Sequence, residues 1–125
     1  MIIVMGFYKR RSDLTWQEFS DHWRNVHGPL LRDTPKTAQY MRRYVQHHLR
    51  PSPGGPAFEF DGFSEGWFDS LEARQEMHES EEFLSIVRSD SALFLDLSAT
   101  HYLVLDKPVH IVGDPPVVMG RTWEF

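Results

Sequence analysis

Residues 15–31, TWQEFSDHWRNVHGPLL, leave this chain little freedom in how it starts to fold. Thr15 can accept a backbone N–H three residues on while Glu18 reaches back to Thr15, the pairing of a capping box. Leu14 and Phe19 sit where a hydrophobic staple closes over such a cap. Trp16, Phe19, Trp23, Val26 and Leu30 then recur at i, i+3, i+4 spacing, which predicts one apolar stripe facing a core. Gln17, Asp21 and Arg24 fall on the far side, toward water. His27 lies on the border of the stripe, immediately before Gly28-Pro29. Proline biases its predecessor away from the α region, so the helix is expected to end or kink beneath His27.

At 125 residues, 41% apolar and 25% charged, the chain is the size of one ordinary domain. No apolar run nears the roughly 18 residues needed to span a bilayer. Charges follow rather than precede the apolar start, so no signal peptide is expected. The absence of cysteine removes disulfides, thiolate metal sites and a Cys nucleophile, and fits a cytoplasmic setting. A net charge of −5, with only short basic clusters, argues against nucleic acid as a partner. The seven histidines and seventeen aromatics are the features that ask for a function.

Along the chain, residues 2–8 are apolar and β-branched, a buried strand. Residues 32–39, with Pro35, are expected as a surface connection, and residues 40–49 as a second strand. Arg50-Pro-Ser-Pro-Gly-Gly-Pro56 is a strong breaker, hence loop. Residues 63–68 alternate as a third strand. Asp69-Ser-Leu-Glu72 opens a second helix to about Glu79, and Ser80 restarts it with Phe83, Ile86 and Val87 inward. Residues 89–98 read as irregular around the apolar Leu93-Phe94-Leu95, and residues 100–105 as a fourth strand. Val109 to Val112 would extend that strand or add another. The order β-α-β-β-α-β predicts an α+β, ferredoxin-like antiparallel sheet with helices on one face. Its other face would be bare in a monomer, and two such sheets facing each other would cover it. Residues 108–125, ending in Trp123 and Phe125, have too little core of their own and are expected as an extension packing on a partner subunit.

Phe19-Ser-Asp-His-Trp-Arg-Asn-Val-His-Gly-Pro-Leu, Tyr44-Val-Gln-His-His and Asp61-Gly-Phe-Ser-Glu-Gly-Trp-Phe-Asp-Ser70 together resemble the EthD domain family over residues 1–107. One departure is His47, where that family often carries Asn. The resemblance implies a dimeric α+β barrel, a homodimer whose two sheets enclose a small pocket. Similar proteins include cofactor-independent dehydratases of aromatic polyketides, a lactone isomerase and an accessory protein of ether-degrading monooxygenase systems. A fold of this kind hosts several functions.

Strand alternation places Tyr44, Gln46 and His48 on one face, and a polar trio is expected to point away from the helices into the barrel. Phe63, Glu65 and Trp67 share a face of the third strand. If that face is also interior, Glu65 is a carboxylate of raised pKa; the bland alternative pairs it with Arg42 or Arg43. His27 and His48 are the candidate proton-transfer groups, because imidazole titrates nearest neutrality. The bland alternatives are a His27 that bonds the last helix carbonyls and a His48 that is a satisfied strand-end residue. Tyr44 would orient a carbonyl or donate a proton. Trp23, Tyr40, Gln46, Trp67 and Phe94 are the candidate pocket walls. His22, His78, His101 and His110 have less support: His22 and His27, five apart, diverge on a regular helix, and His78 is expected in solvent. No metal-ligand or nucleotide-binding spacing occurs, and neither metal nor cofactor is expected. The leading expectation is therefore a cofactor-independent lyase or isomerase moving protons on an aromatic, polyketide-like or lactone substrate. A ligand-holding accessory protein of a monooxygenase system is the second, and a haem-degrading or cofactor-free monooxygenase the third.

Overall fold

In the computed structural model, which describes residues 1–50, 58–118 and 121–122, strand β1 (Ile2–Tyr8) lies at the centre of the sheet. Its continuous apolar run suits that place, because Ile3 and Val4 point to opposite faces and both are buried. β1 pairs antiparallel on one side with β3 (Gly62–Phe68) and on the other with β4 (His101–Leu105). β2 (Met41–His48) forms the edge beyond β3, giving the order β2-β3-β1-β4. The four-stranded antiparallel sheet with helices on one face is the ferredoxin-like α+β arrangement expected from the element order. Among the described residues, no helix is long and apolar enough to cross a membrane.

Helix α1 (Trp16–His22) starts as its capping residues dictate. Thr15 Oγ1 accepts from the Glu18 N–H at 3.1 Å, and Glu18 Oε1 accepts from the Thr15 N–H at 3.0 Å. The helix does not stop at Gly28-Pro29. It widens into a π-helical turn, Trp23–His27, and continues as α2 (Gly28–Asp33), with Gly28 itself in the α region at φ −55° and ψ −51°. The Gly28 N–H bonds the Trp23 carbonyl, an i→i+5 link, so the wide turn carries the chain past the proline. Pro29 falls in the first turn of α2, where a missing donor costs little. The same logic overturns the expected surface connection at 32–39, since Pro35 opens a helix, α3 (Pro35–Tyr40).

Helix α4 (Leu71–Glu79) begins at Ser70, whose hydroxyl accepts from the Ala73 N–H. After Ser80 the chain re-enters a π-helical segment, Phe83–Arg88, and runs on as α5 (Ser89–Phe94), a helix where an irregular segment was expected. Phe83 and Val87 are buried as expected, whereas Ile86 is 40% exposed. Residues 109–112 form no strand, and Val109, Ile111 and Val112 stand in solvent.

Two apolar clusters lock the helices onto the sheet. One joins Val4 and Phe68 to Leu31, Met77, Phe83 and Val87. The other joins Phe19 and Trp23 to Phe94 and Leu95. On the opposite sheet face, Ile3 and Trp67 meet Val118, which belongs to a short hairpin, β5 (Val117–Val118) with β6 (Arg121–Thr122). The extension therefore returns to its own sheet at Val118. Trp123, Phe125 and the breaker residues 51–56 lie outside the described residues.

Candidate functional site

The π turn has a chemical consequence. On a regular helix, positions five apart diverge by about 140°. An i→i+5 turn brings them nearly over one another, and here it aligns His22 with His27. Both rings reach one carboxylate, Asp90 of α5. His27 Nδ1 lies 2.9 Å from Asp90 Oδ2, and His22 Nε2 lies 2.9 and 3.1 Å from the two oxygens. Asp90 and His27 are 7% and 6% exposed. A carboxylate only accepts, so His27 Nδ1 carries the proton and its Nε2 is the acceptor in the neutral ring. Burial lowers the His27 pKa, with Asp90 pulling the other way, so the ring is neutral near pH 7. Phe94, fully buried, packs against both imidazoles, with ring centroids 4.8 Å from His22 and 5.0 Å from His27.

His27 opens onto a cavity of about 70 Å³ between the helices and the sheet. β1, β2 and β3 form its floor through Tyr8, Tyr44 and Ser64, while Trp23, His78 and Tyr102 contribute walls. Tyr44 Oη accepts from Trp23 Nε1 at 3.2 Å, since indole can only donate, which leaves the phenol proton for another partner. Tyr8 Oη lies 2.8 Å from Ser64 Oγ. Burial pushes both phenols upward, so they are neutral hydrogen-bond donors at any physiological pH. Gly6 permits this packing: a Cβ there would stand 2.2 Å from Tyr8 Oη. A neutral imidazole held by a carboxylate, lining one cavity with two neutral phenols, is equipped to move a proton and to steady a developing oxyanion.

Of the residues singled out in the sequence, the structure gathers His27, Tyr44 and Trp23 at this cavity. The face assigned to the polar trio is corrected: Tyr44, Gln46 and His48 point toward the helices. They can do so because each finds a polar partner there. Gln46 Nε2 donates to the Trp23 carbonyl at 2.8 Å, which also pins the π turn. His48 sits on the far side of the Trp23 ring, centroids 4.5 Å apart. Its Nδ1 lies 2.7 Å from Ser20 Oγ and its Nε2 2.8 Å from Gln46 Oε1, so both ring nitrogens are engaged. Burial, then Arg24 and His47, lowers its pKa.

Glu65 lies on the opposite sheet face from the cavity. It pairs neither with Arg42 nor with Arg43 but with His47 at 2.7 Å, and His47 stacks on Phe63 at 4.4 Å. Trp67 shares that face, buried beneath Arg43 at 5.6 Å. Tyr40 is also away from the cavity, donating to Glu76 at 2.9 Å. Phe94 lies behind the imidazoles rather than in the cavity wall. His78, expected in solvent, lines the cavity, and burial together with Arg74 and Arg88 lowers its pKa to about 4.

Asp90, Tyr8 and Tyr102 are the residues missed, and His22, less supported on a regular helix, joins them through Asp90. The alternation of Val4, Gly6 and Tyr8 along β1 signalled a shared face, but nothing local linked Asp90 to a helix sixty residues earlier. Among the described residues, no group of three His, Cys, Asp or Glu is placed to hold a metal ion.

Comparison with known proteins bears on the family and the fold. The sequence profile of the EthD domain matches residues 11–98. No curated protein sequence matches. An EthD-family protein of Bacillus halodurans superposes with a TM-score of 0.64 at 22% identity, covering 86% of this chain and 100% of its own. An EthD-like protein of Ralstonia eutropha gives 0.65 at 16%, covering 87% and 93%. A dimeric ferredoxin-like protein of unknown function from Bacteroides fragilis gives 0.62 at 14%, covering 85% and 95%. At these identities the structural likeness concerns the fold alone.

Proposed function

Because this chain belongs to the EthD domain family, a group of ferredoxin-like proteins with small-molecule pockets, we propose that it is a cofactor-independent lyase or isomerase with His27 as its general base. One observation carries the reading: a buried carboxylate engages His27 Nδ1 at 2.9 Å on a ring that lines the cavity, which leaves Nε2 as the nitrogen available to a ligand. In the proposed reaction, Nε2 removes a proton from the carbon beside a substrate carbonyl, and the C–H electron pair becomes the enolate. Tyr44, and Tyr8 behind it, donate to the enolate oxygen, while Asp90 stabilises the imidazolium. The proton then leaves with a β-hydroxyl as water, or returns at a different carbon. The first course is a dehydration and the second an isomerisation.

His48 has no free nitrogen for this work, and its role is to support Trp23. Glu65 lies across the sheet and takes no part. The substrate class is an enolisable aromatic, polyketide-like or lactone small molecule, for which Trp23 offers a flat apolar wall.

The test is deuterium uptake from D2O into a panel of enolisable aromatic ketones and lactones, followed by NMR. The wild type is expected to catalyse exchange, and His27→Gln to slow it by about two to four orders of magnitude. Equal exchange by folded His27→Gln would remove the assignment. Binding of panel members without exchange would replace it with a ligand-holding accessory role.

A further inference from the structure

The cavity reading above leaves two cations unexplained. Arg74, half-buried on α4, and Arg88, at the end of the second π-helical segment, both line the cavity. Four other arginines of the chain are paired, Arg10 with Asp61, Arg11 with Asp13, Arg32 with Asp33 and Arg42 with Asp69, and Arg74 and Arg88 are the arginines that line the cavity. Neither Arg74 nor Arg88 has an acidic partner among the described residues, although the chain holds 18 acids against 13 bases. Arg74 instead lies over the Tyr102 ring, 4.8 Å from its centroid.

His78 lines the same cavity, and burial together with the charges of Arg74 and Arg88 lowers its pKa. Its neutral ring adds no third cation to the cluster. Asp90, the nearest carboxylate to the chemistry, is turned away toward the two histidines. The lining of the cavity therefore includes two guanidinium groups, Arg88 exposed and Arg74 half-buried, and no carboxylate among the described residues. Guanidinium groups in such a setting favour a planar, two-oxygen anion.

We propose that the ligand of this cavity is a carboxylate, held by Arg74 and Arg88 over Tyr102 while its apolar body lies toward Trp23 and His27. This rests on the cavity being the ligand site, and it names the charge of the substrate that the proton-transfer reading leaves open. An acid held at that end presents its far end, rather than its charged group, to His27.

The proposal is tested by calorimetric titration with a matched pair of probes, benzoate and benzamide, at neutral pH. Wild-type protein is expected to prefer benzoate by about ten- to a hundredfold, the scale of charge-assisted hydrogen bonds. Arg74→Gln and Arg88→Gln should each reduce that preference, and the double variant should abolish it. Arg74→Lys, which keeps the charge but not the fork, should retain part of it. Equal affinities in the wild type, no binding of benzoate, or a preference that survives in the folded double variant would each overturn the proposal. His27→Gln separates the two readings. It should lose exchange chemistry and keep the benzoate preference, so either can fail without the other.

Discussion

Replacing Asp90 by Asn probes the arrangement at its most informative point. The carboxylate, 8% exposed at its side chain, accepts from two imidazoles at 2.9 Å each. Asparagine offers one acceptor oxygen and one NH2 donor, so only one imidazole can keep its bond in the present tautomer. The loss of about one charge-assisted hydrogen bond corresponds to about 2 kcal/mol. For a chain of this length that lowers Tm by several degrees, roughly 5 to 10 °C, measurable by calorimetry or circular dichroism. The kinetic effect is larger. If the new amide NH2 faces His27 Nδ1, the ring proton moves to Nε2 and the base is lost, a change on the order of 10² to 10⁴ in kcat. Asp90 acts through His27, so KM should change little. The acid limb of the kcat/KM profile should move to lower pH, because Asp90 is what raises the His27 pKa against burial. A folded Asp90→Asn protein with wild-type kcat and an unmoved pH profile would refute the role given to this carboxylate.

Three further perturbations test other parts of the structure. His27, His48 and His78 all have folded pKa values below the ordinary 6.5, burial being the leading cause in each. Their neutral forms therefore stabilise the fold fully above pH 6.5, and that contribution is lost as pH falls toward about 4, the value for His78. His78 alone accounts for of order 2 kcal/mol after allowing for its partial exposure, so His78→Gln should flatten the fall in Tm across that window. An unchanged slope would count against its buried, neutral state. Gly62→Ala would put a Cβ 2.5 Å from the Trp23 ring and 2.9 Å from the His47 carbonyl oxygen. Trp23 is fully buried, so a cost of about 1 to 3 kcal/mol is expected, with altered tryptophan fluorescence as its signature. Finally, Leu103, opposite Met5 and 53% exposed, lies on the sheet face away from the helices. Sedimentation should find twice the 14.7 kDa chain mass for the wild type, and Leu103→Asp should yield monomer. A monomeric wild type would refute pairing through this face.

What could be read in advance was whatever local chemistry decides. The Thr15–Glu18 cap, the Ser70 cap and the apolar run of β1 each dictate their element within a few residues, and the element order then leaves one sheet arrangement. The direction of β2 was not legible, because alternation says which residues share a face but not which face meets the helices. The expectation that a polar trio avoids helices overlooked Ser20, Trp23 and the helix carbonyl as partners. The pairing of His22 with His27 is hidden for a related reason: a 3.6-residue period sets the two rings far apart, and the helix here adopts a wider turn. Asp90 is a contact across more than sixty positions, and no local pattern announces such a meeting.

The wide turn at Trp23–His27 also makes the site sensitive to chain length in a way that side-chain identity is not. Dropping a single residue there would restore ordinary pitch, keep the core face of α2 with Leu31 in place and remove the alignment of the two imidazoles. The fold would survive such a deletion, since its sheet and caps are untouched. The spacing between the first of these imidazoles and the Gly-Pro step, rather than the identity of either residue, is therefore what brings both rings to one carboxylate.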